Sequence, residues 1–313
     1  MMRRNVLILA SWALCAASFG QSPDDSTLAA AFRVFDASGA ERILADIVDD
    51  ARGVDVLYIG EEHDDSVGHW VQAQLFELLL ADPVVLSLEM FERDVQIVVD
   101  EYLSDQITEA HFLKSSRPWP RYKSFYRPLV ELAKKQSVPV IAANAPRRYV
   151  NRVARLGTGS LDSLGVQARA FLPPLPYPEP DPRYRKKWDR LMEEMASEMP
   201  DSLRAHAGEG DTPVFLFDAQ ALWDAAMAHS VQWALAEYPG ALVVHVTGSF
   251  HVEGGLGTPY GVRALRPATE DMVVIVRSTD DFGLFDAQAH GSLGDFIIQT
   301  DGTFKPGDGS TAY

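Results

Sequence analysis

Val54-Asp55-Val56-Leu57-Tyr58-Ile59-Gly60-Glu61-Glu62-His63 and, far downstream, Ala241-Leu242-Val243-Val244-His245-Val246-Thr247-Gly248-Ser249-Phe250-His251 share one design. Each is a short, β-branched apolar run that ends on a glycine, with a histidine three positions later. Such runs read as strands buried on both faces. The glycine lets the chain bend as it leaves the strand, and the histidine can swing back over the strand end. In α/β proteins ligands gather at the carboxyl ends of sheet strands, so two such turns predict one site. A third run, residues 84–88, stops at Glu89 and adds a carboxylate at the same level. His63 and His251 are therefore expected to share a pocket with Glu89 and with Glu61 or Glu62. A single histidine after a strand is more often a hydrogen-bonded packing residue. Repetition of the pattern is what favours function here.

Working outward, helical and strand-like patterns alternate. Residues 66–80 place Val71, Leu75, Leu78 and Leu79 at helical spacing, and 40–51 has helical spacing before the first strand. Strand 84–90 precedes helices at 93–103 and 121–136, and strand 138–143 follows. Pro146 opens a helix at its first turn. Six prolines between Phe171 and Pro182 exclude helix and central strand. A polar, Met-rich helix at 183–199, a loop at 207–213, a long helix at 218–237 and a strand at 272–277 complete the pattern. The fold class is α/β: a mostly parallel sheet flanked by helices on both faces, with a helical cap segment. The expected organisation is one domain over 28–300, a helical insertion at about 146–212, and a frayed tail at 301–313.

The chain has 313 residues, 47% hydrophobic and 23% charged, enough to bury a substantial core. Residues 1–20 read as a signal peptide, with Arg3-Arg4 before an apolar stretch too short to span a bilayer. Export to the periplasm or beyond is the expectation. Cys15 is the only cysteine, and it matches a lipid-attachment box poorly because Trp12 and Leu14 stand where Leu and a small residue are usual. Membrane anchoring is expected only if Cys15 is lipidated. The net charge of −16 disfavours nucleic acid as a partner. Residues 114–155 nevertheless carry eleven basic residues against one acid, Glu131.

Six blocks in family order resemble the ChaN-like haem-binding uptake proteins of the Tiki superfamily, which also holds erythromycin esterases and Tiki metalloproteases. They are Gly60-Glu61-x-His63-Asp64; Leu88-Glu89-Met90-Phe91 with Arg93-Asp94-x-Gln96; Trp119-x-x-Tyr122-x-x-x-Tyr126-x-Pro128; Ala143-Asn144-Ala145-Pro146-Arg147; Gln220-Ala221-Leu222-Trp223-Asp224-x-x-Met227-Ala228; and Gly248-x-x-His251-Val252. The resemblance implies an α/β fold, an exported and often lipid-anchored protein, haem bound at a subunit interface of a homodimer, and outer-membrane haem transport machinery as a partner.

Residue chemistry points to haem as well. A flat apolar ring with two propionates needs aromatic walls, cations and a donor for ferric iron. The basic stretch offers Trp119, Phe125 and Tyr149 as surface, Arg117, Arg121, Arg127, Arg147 and Arg148 as charge, and Tyr122 or Tyr126 as a phenolate. The two tyrosines stand four apart, on one helix face. His111, His206 and His229 are alternative iron donors. The other function class is a hydrolase of peptide or ester bonds. There Glu61, His63, Glu89 and His251 would hold a divalent metal, or His63 would act as a metal-free base with Glu61 and Glu89 as partners.

Overall fold

The computed structural model describes residues 25–198 and 214–304. The expected signal peptide, Cys15, His206, the 207–213 loop, the end of the insertion and the last residues of the tail lie outside the described residues. The strands are β1 (Phe32–Asp36), β2 (Glu41–Arg42), β3 (Val56–Glu61), β4 (Val84–Glu92), β5 (Val140–Asn144), β6 (Leu242–Gly248), β7 (Asp271–Thr279) and β8 (Phe296–Asp301). They form one sheet in the order β2-β1-β8-β7-β3-β6-β4-β5. The six strands from β8 to β5 are parallel, and β1 pairs antiparallel with both β8 and β2. The α/β expectation is met. The antiparallel extension β1–β2 and the strand β8 go beyond the sequence reading, as does the extension of β4 past Met90 to Glu92.

Alternation along each strand feeds two cores. Leu57 and Ile59 of β3, Leu86 and Leu88 of β4 and Val244 and Val246 of β6 face the layer containing helices Ser66–Leu79 and Arg127–Lys135. Val56, Tyr58, Val85 and Val243 face the opposite layer, built on helix Leu216–Glu237 and helix Thr258–Leu265. Both faces of the central strands are thus covered, which is why the runs read as continuous apolar stretches.

The expected single helix at 121–136 is two, Tyr122–Phe125 and Arg127–Lys135, meeting at Tyr126. Pro128 explains the break, since it has no N–H to return to the Ser124 carbonyl. Pro146 caps helix Arg147–Leu156 instead of sitting in its first turn. The proline-rich stretch leads into helix Pro182–Glu198, which belongs to the expected cap.

Strand β6 follows β3, β4 and β5 in the chain but sits between β3 and β4 in the sheet. Its end therefore lies beside theirs, with Glu61 paired to Gly248 across β3 and β6. The β4–β5 register shifts between Leu88 and Glu92, and this irregularity falls at Glu89. Such bulges re-aim a side chain at a strand end.

Candidate functional site

The ends of β3, β4, β5 and β6 open into a cleft of about 980 Å3, and Glu61, Glu62, His63, Glu89 and His251 all line it. The structure therefore brings the two Gly-x-x-His turns and Glu89 together. It also brings in Asn144 from the end of β5 and, from helices and loops, Trp119, Arg147, Trp188, Gln220 and Trp223.

His63 lies over the end of β6, so a Cβ at Gly248 would meet its Cε1 at 2.9 Å and its Nε2 at 3.0 Å. Glycine there is a packing requirement, and Gly248→Ala would have to displace the ring. The His63 Nδ1 is 3.0 Å from Glu61 Oε1. Glu61 is itself buried and accepts bonds from Tyr126 Oη at 2.7 Å and Gln72 Nε2 at 2.8 Å. His69 completes this support: its Nδ1 meets Gln72 Oε1 at 3.1 Å and its ring stacks on Phe125 at 4.1 Å. The His63 side chain remains 52% exposed, and its ring edge meets Trp119 at 5.0 Å. The hydrogen bond to Glu61 holds the His63 pKa above its usual value, against the pull of burial. Its Nε2 makes no hydrogen bond among the described residues.

His251 has a different setting. Its Nδ1 is 2.9 Å from Asp224 Oδ1, and its Nε2 is 3.7 Å from Glu89 Oε1. Asp224 also accepts from Thr258 Oγ1 at 2.9 Å and Tyr184 Oη at 2.6 Å. Glu89 Oε2 accepts from Thr247 Oγ1 at 2.6 Å and the Gly248 amide at 2.8 Å. Burial pulls the His251 pKa down, but Asp224 and Glu89 outweigh it and hold it up at about 9. Burial likewise pushes Glu89 up, and the His251 charge with the Thr247 and Gly248 bonds brings it below its usual value. The result is a buried imidazolium between two carboxylates.

The metal expectation finds no support in the geometry, and a metal at His251 would first have to displace a ring proton. Among the described residues, no group of three or more His, Cys, Asp or Glu side chains is placed to hold a metal ion, so His63, His251, Glu61 and Glu89 do not form such a set.

The tyrosines and one arginine also differ from expectation. Tyr122 and Tyr126 are 3% and 1% exposed, inside the core, and neither lines the cleft. Their four-residue spacing does put them on one face, but it is the packed face. Burial and the neighbouring Glu61 push Tyr126 well above the usual phenol pKa, and burial does the same to Tyr122, so neither is a ready phenolate in this arrangement. Arg148 pairs with Asp94, as does Arg117 at 2.6 Å, and Arg127 pairs with Glu109. Arg147 lines the cleft, and its guanidinium makes no hydrogen bond or ion pair among the described residues. Trp119 is held on the cleft wall between Pro118 and Pro120, with Arg117 and Arg121 at φ 53° and 61° on either side. His111 is exposed beside Thr108, and His229 is held neutral by burial and by Arg93, at a pKa of about 4; neither lines the cleft.

Asp224 and Gln220 carry the His251 environment, and sequence reading gave them no role. Their signal was a polar pair four apart on a helix whose neighbouring positions, Ala219, Ala221, Leu222 and Ala228, are buried and apolar.

A family model described as haem-binding uptake, Tiki superfamily, ChaN matches residues 47–262. The chain belongs to this family. Its fold is similar to that of a solved structure titled as cofacial haem binding to ChaN of Campylobacter jejuni, at a TM-score of 0.63 and 15% identity, covering 87% of this chain and 98% of that one. A protein from Bacillus cereus matches at a TM-score of 0.48 and 10% identity over 88% and 96% of the two chains. No curated protein sequence matches the chain.

Proposed function

We propose that this protein binds haem in the strand-end cleft and serves haem or iron uptake outside the cytoplasm. The carrying observation is His63. It is half exposed on the cleft, its Nδ1 is fixed by a buried carboxylate, and its Nε2 is uncommitted. Histidines that ligate metal in proteins commonly have their other ring nitrogen held in this way, which fixes the tautomer and raises basicity. The residues present fit the group. Trp119, Trp188 and Trp223 offer apolar walls, and Arg147 offers a free guanidinium for a propionate. Haem bound there would supply a ferric iron, and His63 would be the residue to hold it. The family and the Campylobacter jejuni relative support the ligand; a second copy of this chain would provide the opposed face of a cofacial arrangement, and so a homodimer. The Arg3-Arg4 leader supports export, and an outer-membrane haem transporter is the corresponding partner class.

Titration with ferric haem tests this reading. The wild type should develop a Soret band with saturable binding, and His63→Ala should shift the band and weaken affinity. Tyr122→Phe/Tyr126→Phe should leave the spectrum unchanged. Loss of the wild-type spectrum in the tyrosine double variant, with His63→Ala unaffected, would return the iron donor to a phenolate.

The Asp224–His251–Glu89 line favours a second activity, hydrolysis of an ester or peptide bond without metal. His251 would stabilise or protonate a developing negative charge, and His63 would act as the base. Ester turnover that disappears in His63→Ala and survives metal chelation would establish it.

A further inference from the structure

Helix Pro182–Glu198 is seventeen residues long, and Tyr184 is its one buried residue among those described. Most of its contacts with the body lie on one face, and Arg185 adds one by lying 4.6 Å over the Phe217 ring. Tyr184, Lys187, Trp188 and Leu191 follow i, i+3, i+4, i+7 spacing. Tyr184 Oη donates to Asp224 Oδ2 at 2.6 Å. Lys187 Nζ donates to the Phe250 carbonyl at 2.8 Å and pairs with Glu253 at 2.8 Å. Trp188 and Leu191 line the cleft, and Trp188 meets Phe217 and Phe250 at 6.1 and 6.0 Å. The opposite face, with Arg183, Arg185, Lys186, Asp189 and Arg190, is exposed.

The strap before the helix is also loosely seated. The segment from Pro173 to Pro180 closes over Ala221, Ala225, Ala228 and Gly261 but leaves a cavity of about 60 Å3 beneath it. An element with little buried apolar surface, held by polar contacts that water can replace, is drawn from the low-stability end of a fold.

We propose that helix Pro182–Glu198 is a movable cover over the strand-end cleft, latched by Tyr184 on Asp224 and by Lys187 on Phe250 and Glu253. Trp188 and Leu191 are its ligand-facing residues. When the cover lifts, the latch groups exchange their partners for water. When it closes on a flat apolar ligand, Trp188 and Leu191 bury surface that has no such partner in the empty cleft. The ligand therefore gains differential affinity for the closed state, which any ligand-driven closure requires. Only the identity of the covered ligand rests on the haem reading.

Native-state hydrogen exchange on the ligand-free protein tests the cover by itself. Amides of the helix should exchange through an opening that leaves β3 and β6 protected. Tyr184→Phe, which removes the buried hydrogen bonds to Asp224 and from Gln220, should raise helix exchange about tenfold or more with the β3 and β6 rates unchanged. Exchange of the helix together with the sheet, in one cooperative step, would overturn the proposal. Haem provides the second arm. Haem should increase protection of the helix, and Trp188→Ala should speed haem transfer to excess apomyoglobin about tenfold. Haem binding with no added protection of the helix would also overturn the cover. Failure of haem to bind at all would sink the haem reading and leave the ligand-free exchange to decide the cover.

Discussion

The two Gly-x-x-His turns are alike in sequence and opposite in environment. His63 follows β3 half exposed, with one ring nitrogen on Glu61 and the other uncommitted. His251 follows β6 fully enclosed, one nitrogen on Asp224 and the other toward Glu89. The difference comes from what lies beyond the strand ends. Helix Leu216–Glu237 brings Asp224 and Gln220 against His251, and Gly257, at φ 59°, brings the following loop so close that a Cβ there would meet the His251 carbonyl at 2.4 Å. Among the described residues nothing equivalent closes over His63, where a neighbour is the Trp119 ring at 5.0 Å. One histidine thus faces the cleft, and the other is enclosed between two carboxylates.

Stability measurements should separate them most widely. Asp224→Ala leaves the buried His251 without its nearest counter-charge, and removing one partner of a buried ion pair costs about 3–5 kcal/mol. His63→Ala, at a half-exposed position, should cost about 1 kcal/mol or less. Chemical denaturation of the two variants checks this. Equal losses would break the distinction between a structural and a ligand-facing histidine.

The pH dependence sharpens the same contrast. His251 is held at about 9, against 6.5 in the unfolded chain, so between these values the folded state binds more protons. Its contribution is fully present below about pH 6.5 and is lost as pH rises through about 9, roughly 3 kcal/mol in all. His245, earlier on the same strand, has the opposite sign. Burial inside the sheet outweighs the pull of Glu89 and holds it at about 3, so stability is lost as pH falls from 6.5 towards that value. Urea denaturation from pH 3 to pH 10, an interval of roughly seven units that spans both shifts, should show a maximum near neutrality. His251→Gln should flatten the alkaline limb most, with a smaller change on the acid limb because Glu89 loses the charge that lowers its pKa.

How much of this was legible in the sequence follows from where each contact originates. The strand ends were readable because glycine and histidine stand directly after apolar runs, and the parallel order then places them side by side. Asp224 was not, because its partner is 27 residues away in the chain and the contact depends on how helix Leu216–Glu237 packs. The spacing of Tyr122 and Tyr126 gave their common face but not which way it points. Charge misled similarly: the basic run at 114–155 meets Glu92, Asp94, Asp105 and Glu109 in the folded chain, so several of its cations are already paired. The short β1, with Arg33 and Asp36 interrupting its apolar residues, carries too weak a pattern to mark a strand.

Support behind His63 should matter less than Asp224 behind His251, yet remain measurable in ligand affinity. Glu61→Gln keeps the shape but removes the charge that orients Nδ1. Outer-shell changes of this kind typically weaken metal affinity by about 10–100-fold. Haem titration of Glu61→Gln should therefore fall between the wild type and His63→Ala, with the Soret position retained.

The smallest expected effect repeats the comparison between two adjacent arginines. Arg147 and Arg148 both open helix Arg147–Leu156, and sequence alone treats them as equivalent propionate partners. In the fold Arg147 lines the cleft without a counter-ion, whereas Arg148 is held by Asp94 and lies 4.5 Å over the Tyr149 ring. A propionate meeting Arg147 gains a partner that has no bond to give up, while one approaching Arg148 must compete with Asp94. Solvent screening at this exposed rim limits the gain to about 1 kcal/mol, or roughly fivefold in Kd. Arg147→Ala should weaken haem binding by that amount, more at low salt than at high salt, because exposed charges are screened. Arg148→Ala should leave haem Kd unchanged. Equal weakening by the two variants would place the propionates across both side chains and would show that the Asp94 pair yields to the ligand.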